Sequence, residues 1–203
     1  MAYNKIQSLC VIGFLLLSFA FAINVLPPHV SSDSATYLEA MQVLRSGTAP
    51  DGFLPNRILT TSAGTYSVLL VEKLTGDIFA AWLIVNGLLF VLAGYFFAKL
   101  LDEIFDSRAV SWIGTILFAT NYAVISFGLN YLMDMGGWAF YVMALYATWR
   151  YWQAGKRSDL LAAASLIGIG GLFKEYAFLG FIVLASAIAM RKQWRAFFPA
   201  LAI

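Results

Sequence analysis

Residues 160–190 read LLAAASLIGIGGLFKEYAFLGFIVLASAIAM, and this stretch decides the fold. Its low polarity is interrupted only by Lys174-Glu175. One helix of about 30 residues would run ~45 Å at 1.5 Å per residue, too far for a single crossing of a ~30 Å hydrocarbon core. Basic pairs, Lys156-Arg157 and Arg191-Lys192, flank both ends. Two short arms that leave one side and return to it, with Lys174-Glu175 at the outer turn, satisfy both facts. The chain is therefore predicted to be all-α, a polytopic bundle of transmembrane helices forming a single domain over 1–203.

Composition agrees. Hydrophobic residues make up 61% of the chain and charged residues only 12%, against roughly 25% charged in a soluble domain. Mean hydropathy is +0.78. A net charge of +2 gives no reason to expect a nucleic-acid partner. The single cysteine, Cys10, cannot form an intrachain disulfide and says nothing about redox compartment.

Working outward, the apolar segments are Ile6–Leu26, Ile78–Leu101, Ala109–Leu129, Gly136–Trp152, Leu160–Phe173 and Tyr176–Met190. Trp194–Ile203 reads as a seventh span cut short. Ala20-Phe21-Ala22 resembles a signal-peptidase site, so a cleaved leader is the alternative reading of the first segment. Pro27-Pro28 ends that helix, because proline removes a donor and clashes with the preceding turn. Tryptophans 82, 112, 138, 149, 152 and 194 fall near span ends, where indole rings prefer the interface.

Residues 27–77 form the first outer loop in this layout. Ser32 or Asp33 can cap a helix with Tyr37, Leu38, Met41 and Leu44 as its apolar positions, too polar to span and suited to the interface. Asn56–Gly76 is ambiguous, and the positive-inside rule resolves it. If it does not cross, Lys5, Lys99, Arg108, Arg150, Lys156, Arg157, Arg191, Lys192 and Arg195 are cytoplasmic, and Arg45, Arg57, Lys73 and Lys174 are outside, a split of 9 to 4. If it crosses, every later loop flips and the split becomes 3 to 10. The stretch is therefore expected to be a second interfacial or re-entrant helix, with the N-terminus cytoplasmic.

This topology gathers Asp33, Tyr37, Glu39, Arg57, Asp134, Lys174 and Glu175 on the outer face. Carboxylates there can act as a general base or hold a divalent cation. Arg57 and Lys174 can bind a phosphate, one by a planar fork and one as a point charge. Each has a plainer reading. Asp33 can be only a helix cap, Asp134 only a loop residue before Gly136-Gly137. Lys174 can snorkel or pair with Glu175, and Arg57 can anchor the surface. His29 is expected to be exposed rather than a metal ligand. Gly168, Gly170 and Gly171 suit close helix packing. No P-loop, CxxC, nucleophile elbow or HExxH motif occurs.

The order of motifs adds a resemblance. Ser32-Asp33-Ser34-Ala35-Thr36-Tyr37 opens a helix after the first span, and Pro55-Asn56-Arg57 follows. Asn130-Tyr131-Leu132-Met133-Asp134 leads into a later span, and Gly170-Gly171-Leu172-Phe173-Lys174 comes after it. This resembles the GT-C class of membrane glycosyltransferases, in the branch of protein O-mannosyltransferases and lipid A aminoarabinose transferases. The resemblance runs from Ile6 to Met190 and corresponds to the N-terminal portion of such enzymes.

It implies transfer of a sugar from a polyprenyl-phosphate carrier to an acceptor at the outer face of a membrane, here a bacterial inner membrane. It implies catalytic roles for Asp33 and Asp134. Contacts with substrate would come from Tyr37, Arg57, Lys174 and Glu175. Ser34 stands where the family usually has Glu, which weakens a metal site there. Two other functions fit the sequence less well. A non-catalytic membrane subunit of a larger complex would keep the helices without the chemistry. A small transporter would be expected to show charges within its spans or an inverted repeat, and neither is visible.

Overall fold

The computed structural model describes residues 5–49 and 55–191, apart from the side chains of Asn56 and Arg57; the expected seventh span at Trp194–Ile203 lies outside this range. Among the described residues the fold is all-helical, with no strand. In chain order the helices are α1 (Lys5–Val25), α2 (Ser32–Ser46), α3 (Asn56–Thr60), α4 (Ser62–Thr75), α5 (Ile78–Phe105), α6 (Arg108–Ala119), α7 (Asp134–Ala154), α8 (Arg157–Gly171) and α9 (Gly180–Met190). A π-helical turn, Val124–Gly128, precedes α7, and a 3₁₀ turn, Glu175–Leu179, precedes α9.

Two of these, α1 and α5, are long and apolar enough to cross a membrane. With 28 residues, α5 extends about 42 Å and forms the spine of the bundle. Gly87 and Gly94 lie on one face of it, two turns apart. A Cβ on Gly94 would sit 2.6 Å from Leu15 Cδ2, and one on Gly87 would sit 2.7 Å from Phe19 Cζ. Small residues on that seam let α1 approach α5 closely, the usual device for helix contacts in lipid. One core joins α1, α4, α5 and the start of α7 around Leu15, Trp82, Phe90 and Met135. A second joins α7, α8 and α9 around Tyr151, Ile167 and Leu184.

Two expected segments are broken. Asn56–Gly76 is two helices that divide at Thr61, where Ala63 N–H donates to Leu172 O across the bundle at 3.1 Å instead of continuing the first helix. Ala109–Leu129 stops being regular after Ala119. Asn121 Oδ1 accepts from Ala123 N at 2.9 Å and Val124 N at 3.3 Å, an Asn side chain competing with the helical ladder. The expected turn in 160–190 is present. There α8 ends at Gly171, and the chain reverses through Lys174 into the 3₁₀ turn.

The bundle has two chemically distinct ends. One gathers the end of α1, the start of α2, the start of α5, the start of α7 and the end of α8. The other carries Lys99, Glu103, Arg150 and Arg191. Tyr146 Oη donates to Glu103 Oε1 at 2.9 Å, and the Arg191 guanidinium donates to the carbonyls of Tyr151 and Trp152 at the end of α7.

Candidate functional site

The site is built on the loop Asn130–Met133, which delivers Asp134 to the start of α7. Asn86, buried in α5, donates its side-chain amide to Asn130 O at 2.7 Å and Leu132 O at 3.1 Å. Trp82 Nε1 donates to Leu132 O at 3.2 Å. The Asn130 side chain ties this loop to the one before α2, since its Oδ1 accepts from His29 N at 2.9 Å. The two acid-bearing loops are thus fastened together and onto α5. Trp82 is buried in this clamp, edge-on to Tyr37 with ring centroids 6.2 Å apart, and is not the interfacial anchor expected.

Lys174 bridges three separate elements. Its Nζ donates to Tyr37 Oη on α2 at 3.0 Å and lies 3.5 Å from Asp134 Oδ2 on α7. Tyr37 is fully buried. The Lys174 and Asp134 side chains are only 17% and 18% exposed, so this is not a solvated surface pair. Glycines make the approach possible. A Cβ on Gly137 would come within 2.7 Å of Lys174 Cβ, and one on Gly136 would overlap the Phe173 ring. Tyr176 Oη donates to Asp134 O at 2.6 Å and closes the far side.

The electrostatics of the pair are asymmetric. Burial pushes the Asp134 carboxyl above the ordinary carboxylate range, and the attraction of Lys174 only partly offsets it; the charge of Asp33 pushes the same way as burial. Burial alone would lower the Lys174 pKa. The hydrogen bond with Tyr37 and the charges of Asp134 and Glu175 outweigh it, and the ammonium ends above its usual value. Lys174 therefore stays charged, while Asp134 takes up a proton more readily than a free aspartate.

Asp33 sits apart from that pair. The cap of α2 is Ser31, not Ser32 or Asp33. Ser34 N donates to Ser31 Oγ at 3.2 Å, and Ser31 N donates to Ser34 Oγ at 3.2 Å. The cap falls two positions before Asp33, and the Asp33 carboxylate is left exposed. It lines a cavity of about 490 Å³ between the end of α1 and the π-helical turn, with Ser32, Ser126 and Asn130. Asp134 and Lys174 do not line that cavity.

Glu39 and Glu175 are exposed. Arg57 lies on α3, and its side chain falls outside the described part of the structure. Among the described residues no three of His, Cys, Asp and Glu come together to hold a metal ion. Among the described acids, Asp134 is already engaged by Lys174.

Sequence reasoning missed Asn86, Asn130 and Tyr176. The available signal was Asn86, a lone amide in the apolar run Ile78–Leu101.

A model of the family described as dolichyl-phosphate-mannose-protein mannosyltransferase matches residues 61–203. The chain belongs to this family. It is accordingly a GT-C glycosyltransferase-like membrane protein, of a family that uses polyprenyl-phosphate-linked sugar donors. No curated protein and no solved structure matches it. Among the mannosyltransferase-family residues matched are Asp134, Lys174 and Glu175; Asp33, Tyr37 and Arg57 precede the matched segment.

Proposed function

We propose that this chain transfers a sugar from a polyprenyl-phosphate carrier to an acceptor hydroxyl at the outer face of a bacterial inner membrane. The observation that carries the reading is the half-buried Lys174 ammonium, held between Tyr37 and Asp134 at one end of the bundle. A fixed cation beside the bilayer suits the phosphate of a lipid-linked sugar. The topology that supports it has about six crossings and a cytoplasmic N-terminus, with α2 to α4 at the outer interface. It is favoured by the 9-to-4 distribution of basic residues.

In the chemistry we infer, Asp33 takes the proton from the acceptor hydroxyl. The oxygen attacks the anomeric carbon and forms the new glycosidic bond. The bond from that carbon to the phosphate oxygen breaks, and its electron pair leaves with polyprenyl phosphate. A direct displacement of this kind inverts the anomeric configuration. Lys174, with Arg57 as a second contact, balances the charge that grows on the leaving phosphate. Asp134 orients Lys174. When Asp134 is protonated, it frees the ammonium for the phosphate. Glu175 helps keep Lys174 charged.

The test is transfer by the purified protein in proteoliposomes from a radiolabelled polyprenyl-phosphate sugar. Lys174→Gln removes a charged hydrogen bond worth roughly 1.5–3 kcal/mol, so the donor KM should rise ~10–150-fold. An unchanged donor KM would remove Lys174 from the phosphate site. Donor binding without transfer by the wild-type protein would favour a non-catalytic membrane subunit.

A further inference from the structure

The cavity beside Asp33 differs chemically from the Lys174 site. Its volume of about 490 Å³ lies within the range of small-molecule sites, roughly 300–1,000 Å³. Its polar wall carries Ser32, Asp33, Ser126 and Asn130, and its apolar wall includes Leu26 and Phe127. Among the described lining residues Asp33 is the only carboxylate. None is Lys or Arg, and His29 is the only basic side chain.

That charge pattern discriminates between occupants. A phosphate here would face an unpaired carboxylate and no fixed cation, and like charges in contact cost several kcal/mol. The positive end of α2 reaches the same wall, but Asp33 in its first turn already complements it. Hydroxyl and amide groups instead suit neutral hydroxyls, which can donate to Asp33 and exchange hydrogen bonds with serine and asparagine. The mouth points to the source of the occupant. Leu26 and Phe127 are about half exposed, at 52% and 51%, one just past the end of α1 and the other in the π-helical turn. An occupant that covers them needs an apolar part next to its hydroxyls.

Resting on the transferase reading above, we propose that this cavity is the acceptor site and takes a neutral, polyhydroxylated headgroup carried on a lipid. The acceptor enters from the bilayer past Leu26 and Phe127, and one of its hydroxyls reaches Asp33. The donor phosphate stays on the other side, at Lys174. Acceptor and donor are thus sorted by the charge of their headgroups.

The test needs no turnover. The purified protein is photolabelled with a photoreactive monoglycosyl diacylglycerol. The competitors are the unlabelled lipid, the same lipid phosphorylated on its sugar, and a serine-containing peptide. The label is expected within residues 26–33 or 122–132. The neutral lipid should compete at least ~10-fold better than the phosphorylated one, a difference of about 1.4 kcal/mol. Ser126→Phe, which fills the cavity, should cut labelling by a similar factor and leave donor binding unchanged.

Label elsewhere, equal competition by the phosphorylated lipid, or better competition by the peptide would overturn the proposal. The competition arms use the wild-type protein, so they decide the matter even if Ser126→Phe does not fold. Binding of the polyprenyl-phosphate sugar, measured in parallel, reports on the donor reading separately. A labelled cavity without donor binding would sink only that reading, and donor binding without label would sink only this one.

Discussion

Asp33→Asn separates a structural aspartate from a chemical one, because the two roles predict effects of very different size. The structural contribution is small. Ser31 and Ser34 already satisfy each other at the start of α2, so Asp33 holds no cap. What remains is the interaction of its charge with the helix dipole, about 0.3–1 kcal/mol at an exposed first-turn position. Asparagine keeps the shape and loses that charge, so thermal stability in detergent should fall by less than ~1 kcal/mol. The chemical contribution is larger. A general base typically supplies ~10²–10⁴-fold, or about 2.7–5.5 kcal/mol of barrier. Transfer from a radiolabelled polyprenyl-phosphate sugar should therefore drop at least ~10²-fold, with normal expression, membrane insertion and donor binding. Ser31→Ala is the matched control. It removes the actual cap, should cost about 1 kcal/mol of stability, and, although Ser31 also lines the cavity, should lose less transfer than Asp33→Asn. Near-wild-type turnover in Asp33→Asn, or a greater loss of transfer in Ser31→Ala, would refute the assignment.

Three further outcomes are expected. Asn86→Leu leaves the carbonyls of Asn130 and Leu132 with fewer donors in a buried site; it should lower unfolding stability by about 1–3 kcal/mol and reduce transfer, read by thermal denaturation and the same assay. Donor binding should weaken as pH rises through the elevated Asp134 pKa, because the newly charged carboxylate competes for Lys174 and repels the phosphate; by the same sign, the Asp134 contribution to stability is full below its unfolded pKa and is lost as pH rises through the folded one. This pH trend is followed by binding of labelled donor and should disappear in Asp134→Asn. Finally, Thr48→Cys and Ser158→Cys, each in a Cys10→Ala background, should be labelled by impermeant maleimide from opposite sides of sealed vesicles, and labelling of both from one side would sink the topology.

The large features of this fold were legible because they follow from length and hydropathy. Helices α1, α5 and α7 lie close to where apolar runs place them, and the reversal falls at Lys174, the point where charge interrupts the long apolar run. The breaks were not legible. Asn121 interrupts one helix with its own side chain, and near the other break Ala63 N–H donates to the distant Leu172 carbonyl; periodicity carries no trace of such contacts. The candidate site was legible as a list of residues and not as an arrangement. Tyr37, Asp134 and Lys174 come together across three elements. Asp33 faces a different space, which only the path of the chain between Leu26 and Asp33 decides. Trp82 illustrates the general difficulty, since an indole near a span end looks the same in sequence whether it anchors the surface or, as here, donates to a buried carbonyl.

The fastenings of α7 have a mechanical consequence. At its start, Gly136 and Gly137 nest against Phe173 and Lys174, and Tyr176 holds the first carbonyl. At its finish, Arg191 grips the last turn. A slide of one turn, about 5.4 Å, would break both attachments at once, so the axial register of α7 is locked from either end. Axial motion of α7 is therefore tied to the segment from Phe173 to Arg191, which holds it at both ends.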